Sequence, residues 1–180
     1  MVFYIIAALF YPGFFNPLKL FFCDLMEISI GTKESPNYGR PFAIASLISV
    51  ATVIASFFIW FANQSKWPKP KKTFTKISGG LAAFFTAFIF TELHDEFLLT
   101  ASIIGAVPVA LVVIEILKTR FKYAPVLGLI SFMLLAIYNL TFYLNIFEFF
   151  WPIIQKVSIV LCLIWINVLA FKKHKPDLLF

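Results

Sequence analysis

Residues 41–62 read PFAIASLISVATVIASFFIWFA, a run without a single charged side chain. A hydrocarbon core of about 30 Å takes about 20 apolar residues to cross as an α-helix. In lipid the backbone polar groups must be satisfied within the segment, so a run of this kind has a helix as its natural fold. Further apolar runs lie near 1–15, 77–93, 97–117, 123–144 and 151–171. Together they predict an all-α membrane protein, a six-transmembrane-helix bundle forming one integral membrane domain over 1–180. A closed β-barrel is disfavoured because the runs lack period-two alternation. Composition agrees: 61% of residues are hydrophobic, 13% are charged, and mean hydropathy is +0.92. Soluble domains carry roughly 25% charged residues, and this chain has too few polar groups to cover a water-facing surface.

Proline and small residues punctuate the runs. Pro41, Pro125 and Pro152 stand near helix starts, where a missing N–H costs nothing. Pro108 lies inside the fourth run and is expected to kink it. Pro12-Gly13 makes the first span short. That N-terminal stretch has no Lys or Arg ahead of it and no small-residue cleavage site, so it reads as a retained span rather than a secretory signal. Gly79, Ala83 and Ala87, and Ala101 with Gly105, recur at four-residue spacing, which lets membrane helices approach closely. Ser49, Thr52 and Ser56 are expected to face neighbouring helices. No internal repeat is present.

Basic residues are distributed unevenly among the loops. Lys66, Lys69, Lys71, Lys72 and Lys76, then Lys118, Arg120 and Lys122, then Lys172, Lys173 and Lys175 fall on one side of a six-span topology. Lys19, Lys33 and Arg40 fall on the other, and Lys156 lies just inside the sixth run. The positive-inside rule then demands an even number of spans with both termini cytoplasmic. The net charge of +6 is thereby assigned to topology and to lipid headgroups, making membrane lipids the expected partners. No basic surface with interleaved aromatics suggests nucleic-acid binding.

Seven of the nine acidic residues collect on the opposite, outer side: Asp24, Glu27, Glu34, Glu92, Asp95, Glu96 and Glu148. His94 is there too, within the turn FTELHDEFLL. Glu115, three residues before Lys118, reads instead as half of a local ion pair. Wound as a helix, PLKLFFCDLMEI puts Lys19, Cys23, Asp24 and Glu27 within a sector of about 140°, which predicts an interfacial helix in the first outer loop. Tyr138, Thr141 and Asn145 share one face of the fifth helix, and Gln155, Ser158 and Cys162 one face of the sixth. Polar side chains are expensive against lipid, so both stripes should point inward. They suggest a polar, outward-open cavity with acidic residues at its mouth, or simply helices hydrogen-bonded to each other.

Four ordered stretches, YPG (Tyr11–Gly13), FFCDLME (Phe21–Glu27), NYGRPFAIA (Asn37–Ala45) and LHDEFLLTASIIG (Leu93–Gly105), resemble the bacterial six-helix membrane proteins of domain-of-unknown-function family nine-nine-eight. The resemblance implies a six-helix fold in a bacterial cytoplasmic membrane and an association of Asp24, Arg40 and His94. It implies no activity. The stretch between YPG and CDL is brief here.

Two classes of function fit. In one, an outward-facing site of Asp24, Arg40, His94, Asp95, Tyr138, Asn145 and Gln155 binds or processes a lipid or small amphiphile. Arg40 would hold an anionic headgroup, and Asp24 or Glu27 would partner His94. In the other, a transporter-like subunit or partner-binding module uses the same cluster structurally, with Arg40 paired to Asp24. Polarity that fades towards the cytoplasmic half argues against transport. The enzyme question stays open and no cofactor is specified. Asp24, His94 and Asp95 are the weak candidates for a metal, because a zinc hydrolase needs more histidine than the chain offers on this side. A Cys23–His94 nucleophile pair is disfavoured, since acidic neighbours oppose a thiolate. Cys162 reads as packing, and the two cysteines form no CxxC pair.

Overall fold

The computed structural model describes residues 2–30, 35–119 and 123–171. Lys33, Glu34, Arg120, Lys122 and the tail with Lys172, Lys173, His174 and Lys175 lie outside these residues. The described chain is helical almost throughout. Helix α1 (Val2–Leu9) leads through turns and a 3-10 turn (Cys23–Met26) into a short antiparallel pair, β1 (Ser29–Ile30) and β2 (Ser35–Pro36). Then come α2 (Arg40–Gln64), α3 (Lys69–Ala87), α4 (His94–Leu117), α5 (Tyr123–Tyr143), a 3-10 turn (Glu148–Phe150) and α6 (Trp151–Phe171).

Four of these helices are long and apolar enough to cross a membrane: α2, α4, α5, and α6 together with the turn that leads into it. Two of the six expected spans fall short of that standard. Helix α1 has 8 residues rather than the anticipated fifteen, about 12 Å of rise. Pro12 and Gly13, the latter at φ +87°, turn the chain away soon after it ends. Helix α3 has 19 residues, about 28 Å, but its first two turns carry Lys69, Lys71, Lys72 and Lys76. It starts eight residues before the apolar run at 77–93, because lysine is a good helix former and Pro70 is tolerated in the first turn.

Short connections fold α2, α3 and α4 back on one another, and α5 pairs with α6. The small residues set these distances. A Cβ on Gly79 would stand 2.4 Å from the Phe58 ring, and one on Gly128 would stand 2.5 Å from the Trp165 indole. Gly105 lies against Ala82, where an added Cβ would meet the alanine methyl at 3.3 Å. Pro108 is buried within an α4 that continues through it, leaving the Ile104 carbonyl without its usual helical donor.

The interior divides into two apolar clusters. One joins Phe57, Phe58 and Phe61 of α2 to Val112 and Ile116 of α4 and Trp165 and Leu169 of α6. It lies at the basic end, where Lys71 sits 4.0 Å above the Trp67 ring and Lys118 pairs with Glu115 at 3.0 Å, the local ion pair expected. Cys162 packs against this cluster. The other gathers Tyr4, Ala7, Tyr11, Phe22, Leu25, Met26, Ala43, Leu47 and Ile89 at the opposite end.

Three expectations need correction. The 17–28 stretch is not an interfacial α-helix: Phe22, Leu25 and Met26 turn inward, and only one 3-10 turn forms. The Asp24 carboxylate accepts the Phe21 N–H at 2.7 Å, offering the backbone a local partner in place of a helical carbonyl. Ser49, Thr52 and Ser56 are exposed rather than packed on neighbouring helices. The hydroxyls of Ser49 and Thr52 donate to the carbonyls of Ala45 and Ile48, so they need no partner across an interface. Asn145 does not continue the α5 stripe, since it lies past the helix end at φ +54° and is exposed.

Candidate functional site

Asn37 organises the site end. Its amide donates to the carbonyls of Leu25 and Glu27, both at 3.0 Å, and its oxygen accepts the Gly39 N–H at 3.0 Å. One buried side chain therefore ties the CDLM turn to the start of α2. Gly39 touches the Ala7 carbonyl so closely that a Cβ would meet it at 2.3 Å, which seats α1 on the same junction. One residue on, Arg40 donates from Nε to the Met26 carbonyl at 2.9 Å.

From α6, Gln155 reaches into this loop. Its oxygen accepts the Phe22 N–H at 3.0 Å, while its amide donates to the Tyr138 hydroxyl at 3.3 Å and to Cys23 Sγ at 3.7 Å. One turn N-terminal to Ser158, which is buried and bonded to the Gln155 carbonyl, the polar stripe of α6 thus does face inward. Lys156 bonds the carbonyls of Leu20 and Pro152 and lies over the Phe22 ring.

The turn between α3 and α4 supplies the remaining wall. His94 Nδ1 lies 2.6 Å from the Ile89 carbonyl. A carbonyl oxygen only accepts, so Nδ1 carries the proton and Nε2 is the basic nitrogen of the neutral ring. Asp95 and Glu96 occupy the first turn of α4, where negative charge suits the helix dipole. Tyr143 donates to the Asp95 carbonyl at 3.1 Å and links α5 to this corner.

These segments line an open cavity of about 390 Å³. Of the seven residues read from the sequence, Asp24, Arg40, His94, Asp95, Tyr138 and Gln155 line it, and Asn145 does not. Aromatic and apolar walls come from Phe21, Met26, Ile89, Phe90 and Phe142, with Glu27 and Glu92 also at the lining. Arg40 and Asp24 share the cavity without an ion pair; among the described residues the ion pair within 4 Å is Lys118–Glu115. Among the described residues no three His, Cys, Asp or Glu side chains group as metal ligands, so Asp24, His94 and Asp95 do not form such a set.

Burial raises the Asp24 carboxyl above the usual range, opposed by the Phe21 N–H and by the charges of Lys156 and His94. Glu27 is raised as well, by burial and then by Asp24. Burial pushes the Cys23 thiol up to about 12, against the Gln155 hydrogen bond and with Asp24 and Asp95 adding to the rise. A thiol of that kind is protonated at neutral pH and is a poor nucleophile. What the arrangement offers chemically is a basic imidazole nitrogen, one half-buried carboxylate with exposed ones beside it, a phenol and an amide around a space with aromatic residues in its lining.

Sequence reading passed over two residues that matter here. Lys156 lies inside the sixth run, where a lone cation in an apolar span is itself a signal. Asn37 opens the NYGRP stretch, and only the fold reveals which carbonyls it reaches. A comparison of the chain with protein-family models, with curated proteins and with solved structures finds no match.

Proposed function

We propose that this chain is a multi-pass protein of a bacterial cytoplasmic membrane that binds or processes a lipid or small amphiphile in the cavity at its site end. The observation that carries this reading is the convergence of Asp24, Arg40, His94, Asp95, Tyr138 and Gln155, from five separate segments, on one space of about 390 Å³. Small-molecule sites are typically about 300–1,000 Å³, mostly apolar, with a few placed polar groups. In the proposed topology α1 and α3 complete a six-helix bundle with both termini cytoplasmic, and the cavity opens to the outside. The lysines of α3 would then snorkel to the cytoplasmic headgroups. Kinship with family nine-nine-eight is part of the same proposal and rests on the four ordered motifs.

A second reading is favoured by one set of contacts. Asn37 and Gln155 spend their polar atoms, and Arg40 its Nε, on backbone and side chains of the fold, as a purely structural cluster in a partner-binding module would. Native mass spectrometry of the purified protein separates the two. Wild type should carry a co-purifying lipid or amphiphile that His94→Ala loses. The same bound species in both proteins would favour the structural cluster.

A further inference from the structure

The charges around the cavity are unbalanced, and the imbalance bears on ligand chemistry. Four carboxylates line it, from Asp24, Glu27, Glu92 and Asp95, against the guanidinium of Arg40 and the imidazole of His94, with the Lys156 ammonium acting on Asp24 from outside the lining. Arg40 has already committed Nε to the Met26 carbonyl. The rings of Phe21, Phe90, Tyr138 and Phe142 line the same space. An aromatic face attracts a cation through its quadrupole, more strongly when water is excluded. Carboxylates and aromatic rings lining one concave space, with Asp24 half-buried, suit an ammonium group and oppose a phosphate or carboxylate. We propose that the ligand of this cavity presents an ammonium headgroup, with Asp24 and Asp95 as its charge partners and the aromatic rings as its cage.

The assignment rests on the amphiphile reading above and reverses one part of the sequence expectation. In this assignment Arg40 acts through its Nε bond to fix the CDLM turn rather than as the anchor of an anionic headgroup. Asp24 lies deepest of the four carboxylates by exposure, being half-buried where Glu27, Glu92 and Asp95 are exposed. Its desolvation is the cost that a cationic ligand would offset. Met26, Ile89 and Phe142 leave an apolar surface for the first carbons of a chain.

A competition experiment tests this on the full chain in the neutral detergent dodecyl maltoside. An equimolar mixture of dodecyltrimethylammonium and dodecyl sulfate is added and bound adducts are read by native mass spectrometry. The ammonium adduct should exceed the sulfate adduct by about tenfold. The Asp24→Asn, Asp95→Asn double variant should lose most of that ratio. Asparagine keeps an acceptor for the Phe21 N–H, and a thermal melt of the variant controls for folding. Added tetramethylammonium that displaces the adduct would assign a site for soluble amines; an adduct that resists it would assign the headgroup of a lipid. Equal or preferential binding of dodecyl sulfate overturns the ammonium assignment while leaving the amphiphile reading intact. Binding of neither probe overturns both.

Discussion

Gln155 is the residue on which three segments of the site depend, because it satisfies the Phe22 N–H, the Tyr138 hydroxyl and the Cys23 thiol together. Gln155→Leu keeps the bulk but strands a buried N–H, which costs about 1–3 kcal/mol. A lowered melting temperature in detergent is therefore expected, and an unchanged one would mean that water or another acceptor takes up the Phe22 N–H. Asp24 behaves in the opposite sense. Its folded pKa is raised, so the folded state holds the proton more tightly than the unfolded chain does. Ionised Asp24 thus destabilises the fold above its unfolded pKa, and the penalty fades as pH falls through the raised folded value. Asp24→Asn should melt higher than wild type at neutral pH, with the gap closing in acid. A lower melt at neutral pH would show that attraction from Lys156 and His94 outweighs burial.

At the level of the helices, close approach depends on particular glycines and not on glycine as such. Gly79 faces the Phe58 ring, while its neighbour Gly80 has nothing within 4 Å of where a Cβ would be. Gly79→Ala is expected to destabilise by about 1–3 kcal/mol through overpacking. Gly80→Ala should leave the melt unchanged or raise it, since alanine favours helix by about 1 kcal/mol. Equal effects of the two would contradict the α2–α3 packing. The apolar runs made α2, α4, α5 and α6 readable in advance, because lipid leaves such runs little choice. The same signal misplaced the start of α3, whose lysine turns are helical without being apolar. It also suggested a helix at 17–28, where a periodic pattern was outweighed by the Asp24–Phe21 bond and by the pull of Leu25 and Met26 into the second core cluster.

For the whole molecule, antiparallel helices fold distant stretches onto one end, and this is why much of the cavity could be anticipated. Residues 24, 40, 94, 138 and 155 all stand near helix ends that topology places together. Asn145 was lost because a left-handed turn, invisible in the pattern, ends α5 before it. Lys156 was passed over because its partners are backbone carbonyls, which no spacing reveals. The same topology makes the status of α3 decisive. Between Lys66 and Glu96 only one helix, α3, intervenes, so these two exposed positions lie on opposite faces of the membrane if α3 crosses and on the same face if it does not. Cysteines introduced by Lys66→Cys and Glu96→Cys, with Cys23 and Cys162 replaced by serine and alanine, can be challenged with a membrane-impermeant maleimide. Position 96 should label on intact cells and position 66 only after permeabilisation. Labelling of both from one side would leave α3 lying along the bundle without crossing, and labelling of 66 alone from outside would invert the orientation. Wherever position 96 labels only after permeabilisation, the cavity would lose its proposed place on the outer face, because His94 and Asp95 adjoin it.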